Sequence, residues 1–275
     1  MLASTTNPSL PAAARLPINR CSLPAVLLGS LSYQRHPVPL ALDGVLELHR
    51  DFFMRLDALD DTAERGALFT RHMRAVFSLA DPEAAGFRAG QAAARDKAHY
   101  LRVVRGWSFD SDGREGAVLK GWVESRFGLL PRFHGGPIRD LSGDAYRAYL
   151  EQRAAGLYGT NALEAQLDLL YTFSQYELGR RRLGETHVPL YRGVNRLAEH
   201  EALGAFSGRR GTVLLNSLVS FTASRERADE FGDVVLAAHV PLAKVFLCHD
   251  LLPGLLRGEE EYAVIGGVYE VERVA

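Results

Sequence analysis

A chain of 275 residues with 47% hydrophobic and 24% charged residues has the composition of an ordinary globular protein, with room for one substantial core or two unequal lobes. Its 32 basic and 33 acidic side chains leave a formal charge of −1, so no overall field draws it to nucleic acid or an anionic membrane. The two cysteines, Cys21 and Cys248, exclude a disulfide framework and fit a reducing cytoplasm, and no apolar run approaches the roughly 20 residues of a membrane span.

Residues 1–22, rich in Pro, Ala, Ser and Thr and without periodicity, read as an extended arm. Residues 23–185 read as mainly helical. "ALDGVLELHRDFFMRLDAL" spaces Leu46, Phe53, Leu56 and Leu59 as the inner face of one helix, and helical patterns recur at "RGALFTRHMRAVFSL" and "DPEAAGFRAGQAAARDKAHYLRVVRGW". "SFDSDGREG" then breaks the pattern. In "TNALEAQLDLLYTFSQYEL", Asn161 and Glu164 have the spacing of a capping box, and Leu163, Leu167, Leu170, Tyr171 and Leu178 trace one apolar stripe.

From residue 186 to 275 the period shifts toward two. "HVPLYRGV", "TVLLNSLVSFT", "DVVLAAHV", "KVFLCHD", "YAVIGGV" and "YEVERVA" read as short strands, with "SRERADEF" a helical insert capped by Ser224 or Thr222. Helices followed by strands without regular alternation predict an α+β fold, with the β-rich end and the helical region forming one compact unit. Cys248, after Val245, Phe246 and Leu247, reads as a buried thiol.

No dinucleotide glycine fingerprint, phosphate-binding glycine-lysine loop or nucleophile elbow is present. The histidines form neither HExxH nor a ligand cluster with cysteine, so no metal is expected. Three features stand out instead. Arg192 sits inside an otherwise apolar strand and is followed by Gly193, where a backbone or ligand could come close; its planar fork of donors suits phosphate or carboxylate oxygens. Ser220 and Thr222 share a face at the end of the next long strand. Finally, "EEEYAVI" sets Glu259 and Glu261 on one face of an incoming strand and Glu260 on the other. Same-face carboxylates about 7 Å apart repel by roughly 0.6 kcal/mol in water and several-fold more where water is excluded. Local features therefore leave two readings open, a solvated edge guarded by charge and a cleft shared by Glu259 and Glu261.

The order of these features resembles the arginine, serine, glutamate signature of the mono-ADP-ribosyltransferases, with Arg192, Ser220 and Glu261 in those places. "RGWSFDSDGREGAVLKGWVESRFGLLPRFH", "GLYGTNALEAQLDLLYTFSQYEL" and "EEEYAVIGGVYEV" are similar to the dinitrogenase reductase ADP-ribosyltransferases, the DraT family, through nearly all the chain after the arm. The middle motif reads Ser-Phe-Thr where Ser-Thr-Ser is commoner, which leaves Thr222 or Ser224 as other candidates for the orienting hydroxyl.

The resemblance implies a mainly antiparallel split β-sheet and NAD as co-substrate. It implies transfer of ADP-ribose to an arginine of the nitrogenase iron protein, with release of nicotinamide. A carboxylate at Glu261 would stabilise positive charge on the ribose, Arg192 would hold the phosphates with Gly193 and Thr222 nearby, and Ser220 would orient Glu261. Glu259 would bind the acceptor guanidinium, aim it and draw off its proton. The helical region would pack around the NAD cleft and present the surface that reads the iron protein, and a PII signalling protein would exert control. The rival readings are an NAD glycohydrolase, a transferase with another protein target, and a non-catalytic interaction module.

Overall fold

The structure is a computed structural model, and residues 9–79, 98–195, 201–252, 256 and 260–274 are described. Among them the helices run in chain order as α1 (Ala25–Leu28), α2 (Leu31–Arg35), α3 (Val45–Leu48), α4 (Arg50–Asp57), α5 (Thr62–Val76), α6 (Tyr100–Phe109), α7 (Arg114–Phe127), α8 (Asp144–Gly156) and α9 (Ala162–Arg181). The strands follow: β1 (His187–Val194), β2 (Glu201–Ala202), β3 (Arg210–Thr222), β4 (Val234–Pro241), β5 (Val245–Cys248) and β6 (Glu261–Val274), with α10 (Arg225–Glu230) between β3 and β4. The chain is α+β, its helices concentrated in the first part and its strands in the second.

Several helices depart from the pattern that predicts them. The single helix expected across residues 41–59 is two, because His49 leaves helical geometry (φ −110°, ψ 25°) and turns its ring to His72 on α5, with Nδ1 and Nε2 3.1 Å apart. Phe53 and Leu56 face inward as expected, whereas Leu46 is 48% exposed. The helical pattern over residues 81–107 lies partly outside the described residues, and α6 accounts for its last part. The capping box at Asn161 does not form. Asn161 is itself helical (φ −84°, ψ −6°), so its side chain makes no cap, and Thr160 Oγ1 accepts the Ala162 N–H at 3.1 Å instead. Glu164 pairs with Arg126. The apolar stripe of α9 is buried as predicted, and so are Leu169, Phe173 and Gln166 on other sides, because α9 runs through the centre of the molecule.

The six strands pair antiparallel throughout. Two long ladders dominate. β1 runs against β4 from His187↔Pro241 to Val194↔Val234, and β3 runs against β6 from Arg210↔Glu272 to Thr222↔Glu261. They touch through one pair between β1 and β3, Tyr191↔Thr222, and through three between β4 and β6, Val235↔Val274 to Ala237↔Glu272. Beyond Ala237↔Glu272 the strands part, and the side chain of Gln34 on α2 bridges the opening. Its Nε2 donates to His239 O (3.2 Å) and Glu270 O (3.1 Å), and its Oε1 accepts Glu270 N–H (2.7 Å).

The two strands expected over residues 262–275 are one continuous β6, because Gly266 and Gly267 let it cross a crowded point. A Cβ at Gly266 would lie 1.7 Å from Asn216 O, and Gly267 has φ +113°. One core joins helices to sheet, with Trp122, Phe127 and Tyr171 against Phe246 of β5. From residue 9 the N-terminal segment lies on this core, burying Leu10 and Ala14 and donating Leu16 N–H to Gly128 O. Cys21 and Cys248 are both buried free thiols.

Candidate active site

Glu261 is the first residue of β6 and lies opposite Thr222, the last residue of β3. That register brings Ser220 within reach: its Oγ donates to Glu261 Oε1 at 2.5 Å. A second hydroxyl comes from the helical part, where Ser108 on α6 donates to Glu261 Oε2 at 2.8 Å. Both carboxylate oxygens thus accept a hydrogen bond from a serine, and Glu261 is only 4% exposed. Donors on both oxygens hold the carboxylate in one plane.

Arg192 reaches the same place from β1. Its Nη1 donates to the carbonyl of Ser220 at 2.7 Å, across the point where the two ladders touch. Arg192, Ser220 and Glu261 therefore form one linked chain. Burial pushes the Arg192 guanidinium below its ordinary value, opposed by the charges of Glu261 and Asp112; it stays cationic, as guanidinium does in proteins. Among the described residues, Arg192 Nε and Trp107 Nε1 are buried without a hydrogen-bond partner.

Both side chains line a cavity of about 270 Å³, whose wall also includes Arg132, Arg139, Asp112, Asn216 and Ser220. The guanidinium groups on this wall offer planar forks of donors of the kind that suit phosphate oxygens. Asp112 is in addition held from behind by Lys120, whose Nζ donates to Asp112 Oδ1 at 2.8 Å and to Phe133 O at 3.0 Å. Burial lowers the pKa of Lys120, and Asp112 is the largest influence restoring it.

The other sequence candidates fall as follows. Gly193 serves a backbone contact: a Cβ there would lie 2.0 Å from Ala228 O of α10. Of the three candidate hydroxyls, Ser220 donates to Glu261, while Thr222 Oγ1 accepts Ser224 N–H and Ser224 caps α10 by accepting Arg227 N–H. Glu259 lies outside the described residues. Glu260 has φ +49°, so extended alternation starts at Glu261 and does not run back through Glu260. Ser108 escaped the sequence reading, because it belongs to the stretch taken as a break between helices. Among the described residues no cluster of His, Cys, Asp and Glu could hold a metal.

Comparison with known proteins bears on this geometry. The family model for dinitrogenase reductase ADP-ribosyltransferase matches residues 18–273. The chain belongs to that family. A protein of Rhodospirillum rubrum named NAD(+)–dinitrogen-reductase ADP-D-ribosyltransferase is 42% identical to it over 258 residues, which cover 92% of this chain and 93% of that protein. No solved structure matches. Arg192, Ser220, Glu261 and the newly placed Ser108 all fall inside the region that matches the family.

Proposed function

We propose that this chain is an NAD-dependent ADP-ribosyltransferase that modifies an arginine of dinitrogenase reductase, the nitrogenase iron protein. The observation that carries the reading is the chain of contacts from Arg192 through Ser220 to Glu261, beside a cavity walled by arginines. Family membership and the R. rubrum relative named for this activity support it.

NAD supplies an ADP-ribosyl group on a leaving group, nicotinamide, that departs as a neutral ring. The pyrophosphate fits the cavity wall of Arg132, Arg139 and Arg192, where Arg192 Nε offers an unused donor. Glu261, fixed by two hydroxyls, faces the ribose carbon and stabilises the positive charge that grows as the glycosidic bond breaks. It needs no reorganisation to do so, since both serines already hold it. The acceptor nitrogen forms the new bond to that carbon as the bond to nicotinamide breaks, and the acceptor loses one proton. Glu259 binds the incoming guanidinium and takes the proton.

The reading is tested with labelled NAD, purified iron protein and mass spectrometry of the modified arginine. Wild-type protein places one ADP-ribose on one arginine and releases nicotinamide. Glu261→Gln lowers both transfer and NAD hydrolysis by about 10³-fold or more, in line with loss of a preorganised electrostatic group. Glu259→Gln loses transfer to arginine and keeps residual hydrolysis. Wild-type rates in Glu261→Gln would end the assignment.

Within the same reading, a PII signalling protein controls the enzyme; only the family resemblance supports that contact. A cytoplasmic location follows from an intracellular target, and among the described residues no helix is long and apolar enough to cross a membrane.

A further inference from the structure

The end of α6 and the turn after it form a wall with two sides. Trp107, Ser111 and Asp112 line the arginine-walled cavity, and Ser108 holds Glu261. Residues interleaved with and flanking them, Arg105, Gly106, Phe109, Asp110 and Gly113, line an outer groove. Ser108 is solvent-exposed although the carboxylate it holds is buried, so the site opens to solvent at this wall.

Phe109 is 95% exposed, the most exposed of the large apolar side chains among the described residues. A phenyl ring standing in water buries almost no area within this chain, and aromatic side chains are enriched at protein–protein contacts. The groove's carboxylates are engaged within the chain: Glu115 faces Arg102 at 3.7 Å, and Asp110 Oδ1 accepts Asp112 N–H at 3.0 Å. Arg105, also exposed, makes no ion pair among the described residues. The groove therefore offers one aromatic anchor and one exposed guanidinium outside any ion pair next to the mouth of the site.

We propose that this face, centred on Phe109 and Arg105, is where the protein substrate docks, through an apolar hollow flanked by a carboxylate beside its acceptor arginine. The inference rests on the proposed transferase activity. An arginine that reaches Glu261 is carried by a folded protein, and that protein must cover the rim where Ser108 is exposed. Phe109 is the next residue along that rim. Aromatic and arginine side chains are the residue types that dominate such contacts when truncated.

The experiment compares Phe109→Ala and Arg105→Ala with wild type in two assays: transfer to purified iron protein, and NAD hydrolysis without a protein acceptor. The expected result is a fall of about 10- to 100-fold in kcat/KM for the iron protein, carried mainly by KM, with hydrolysis unchanged within about twofold. Unchanged transfer to iron protein in both variants would overturn the proposal. So would equal losses in the two assays, which would mean that the residues act on the site itself. Unchanged transfer together with altered oligomeric state on gel filtration would assign the face to a second copy of the chain. A wild-type enzyme that cleaves NAD yet modifies no iron protein would instead overturn the transferase reading, and this inference with it.

Discussion

At the scale of single residues, the site turns on how one carboxylate is held. Ser220 is partly buried and Ser108 is exposed, although both donate to Glu261. A hydrogen bond to a charged group contributes about 1.5–3 kcal/mol when its partner cannot be replaced by water. Ser220→Ala should therefore lower kcat by about 10- to 100-fold, and Ser108→Ala by less, about 3- to 10-fold, since water can enter where Ser108 stood. NAD-saturated initial rates would separate the two. A Ser108→Ala enzyme with unchanged kcat would mean that the second hydroxyl is incidental, and Ser108→Thr should restore the rate. Arg192 and Ser220 were legible in the sequence because each is a polar residue within a mainly apolar strand, and Glu261 because it closes a run of three glutamates that opens an apolar strand. Ser108 was not, since a serine at a helix end in a turn-rich stretch has no period to set it apart. Which of the three hydroxyls near residue 222 faces Glu261 depends on strand register, which pairs Thr222 with Glu261 and leaves the side chain of Ser220 to reach the carboxylate.

Among the elements, α10 sets the position of β1. The carbonyl of Ala228 lies where a side chain on Gly193 would begin, so the strand carrying Arg192 and the helix are in backbone contact. Gly193→Ala forces them apart and shifts Arg192. We expect a loss of about 1–3 kcal/mol in denaturant unfolding, together with a raised KM for NAD. A variant of wild-type stability and KM would show that the contact is slack.

A second element-scale feature lies behind β5. Lys244 is fully buried, donates to Gly266 O at 2.8 Å and lies 4.7 Å from the centre of the Tyr269 ring, with Tyr33 on another side. Burial pushes its pKa from 10.5 down to about 7. Below about pH 7 both folded and unfolded chains carry the proton, and the full penalty of burying the charge applies. As pH rises from about 7 toward 10.5, the unfolded chain keeps a proton that the folded chain has shed, so stability rises. The slope contributed by this group is at most about 1.4 kcal/mol per pH unit. Lys244→Met should flatten the dependence of unfolding free energy on pH above neutrality, as measured by urea titrations. An unaltered slope would exclude Lys244 as its source. The sequence gives little sign of this group: it marks residue 244 only as the charged start of an apolar strand. The helix α9 shows the opposite case, where the apolar stripe was plain but the cap was misread. Thr160 and Asn161 are adjacent, and only the backbone angles decide which side chain meets the first free N–H groups.

Taken as a whole molecule, the fold class was readable from the change of period near residue 186, whereas the closure of the sheet was not. Pairing of β1 with β3 and of β4 with β6 joins residues far apart in sequence, and no local pattern encodes it. The joining of the helical part to the sheet was also hidden. It runs through a shared aromatic core and, at the site itself, through Ser108, so the Glu261 carboxylate is held by both parts of the chain.

Gln34 gives this arrangement a weak point at a distance from the chemistry. One amide from a five-residue helix does the work of a missing strand, spanning the place where β4 and β6 separate. Gln34→Ala strips Glu270 of both its backbone partners there, and its amide should exchange with deuterium markedly faster than in the parent protein; equal exchange would show that the gap seals itself. The first helices thus act as a latch on a hinged pair of flaps, and the far hinge is the Tyr191↔Thr222 contact beside which Arg192 grips Ser220. Clipping or displacing the chain ahead of residue 36 would slacken that grip without touching any group that meets NAD.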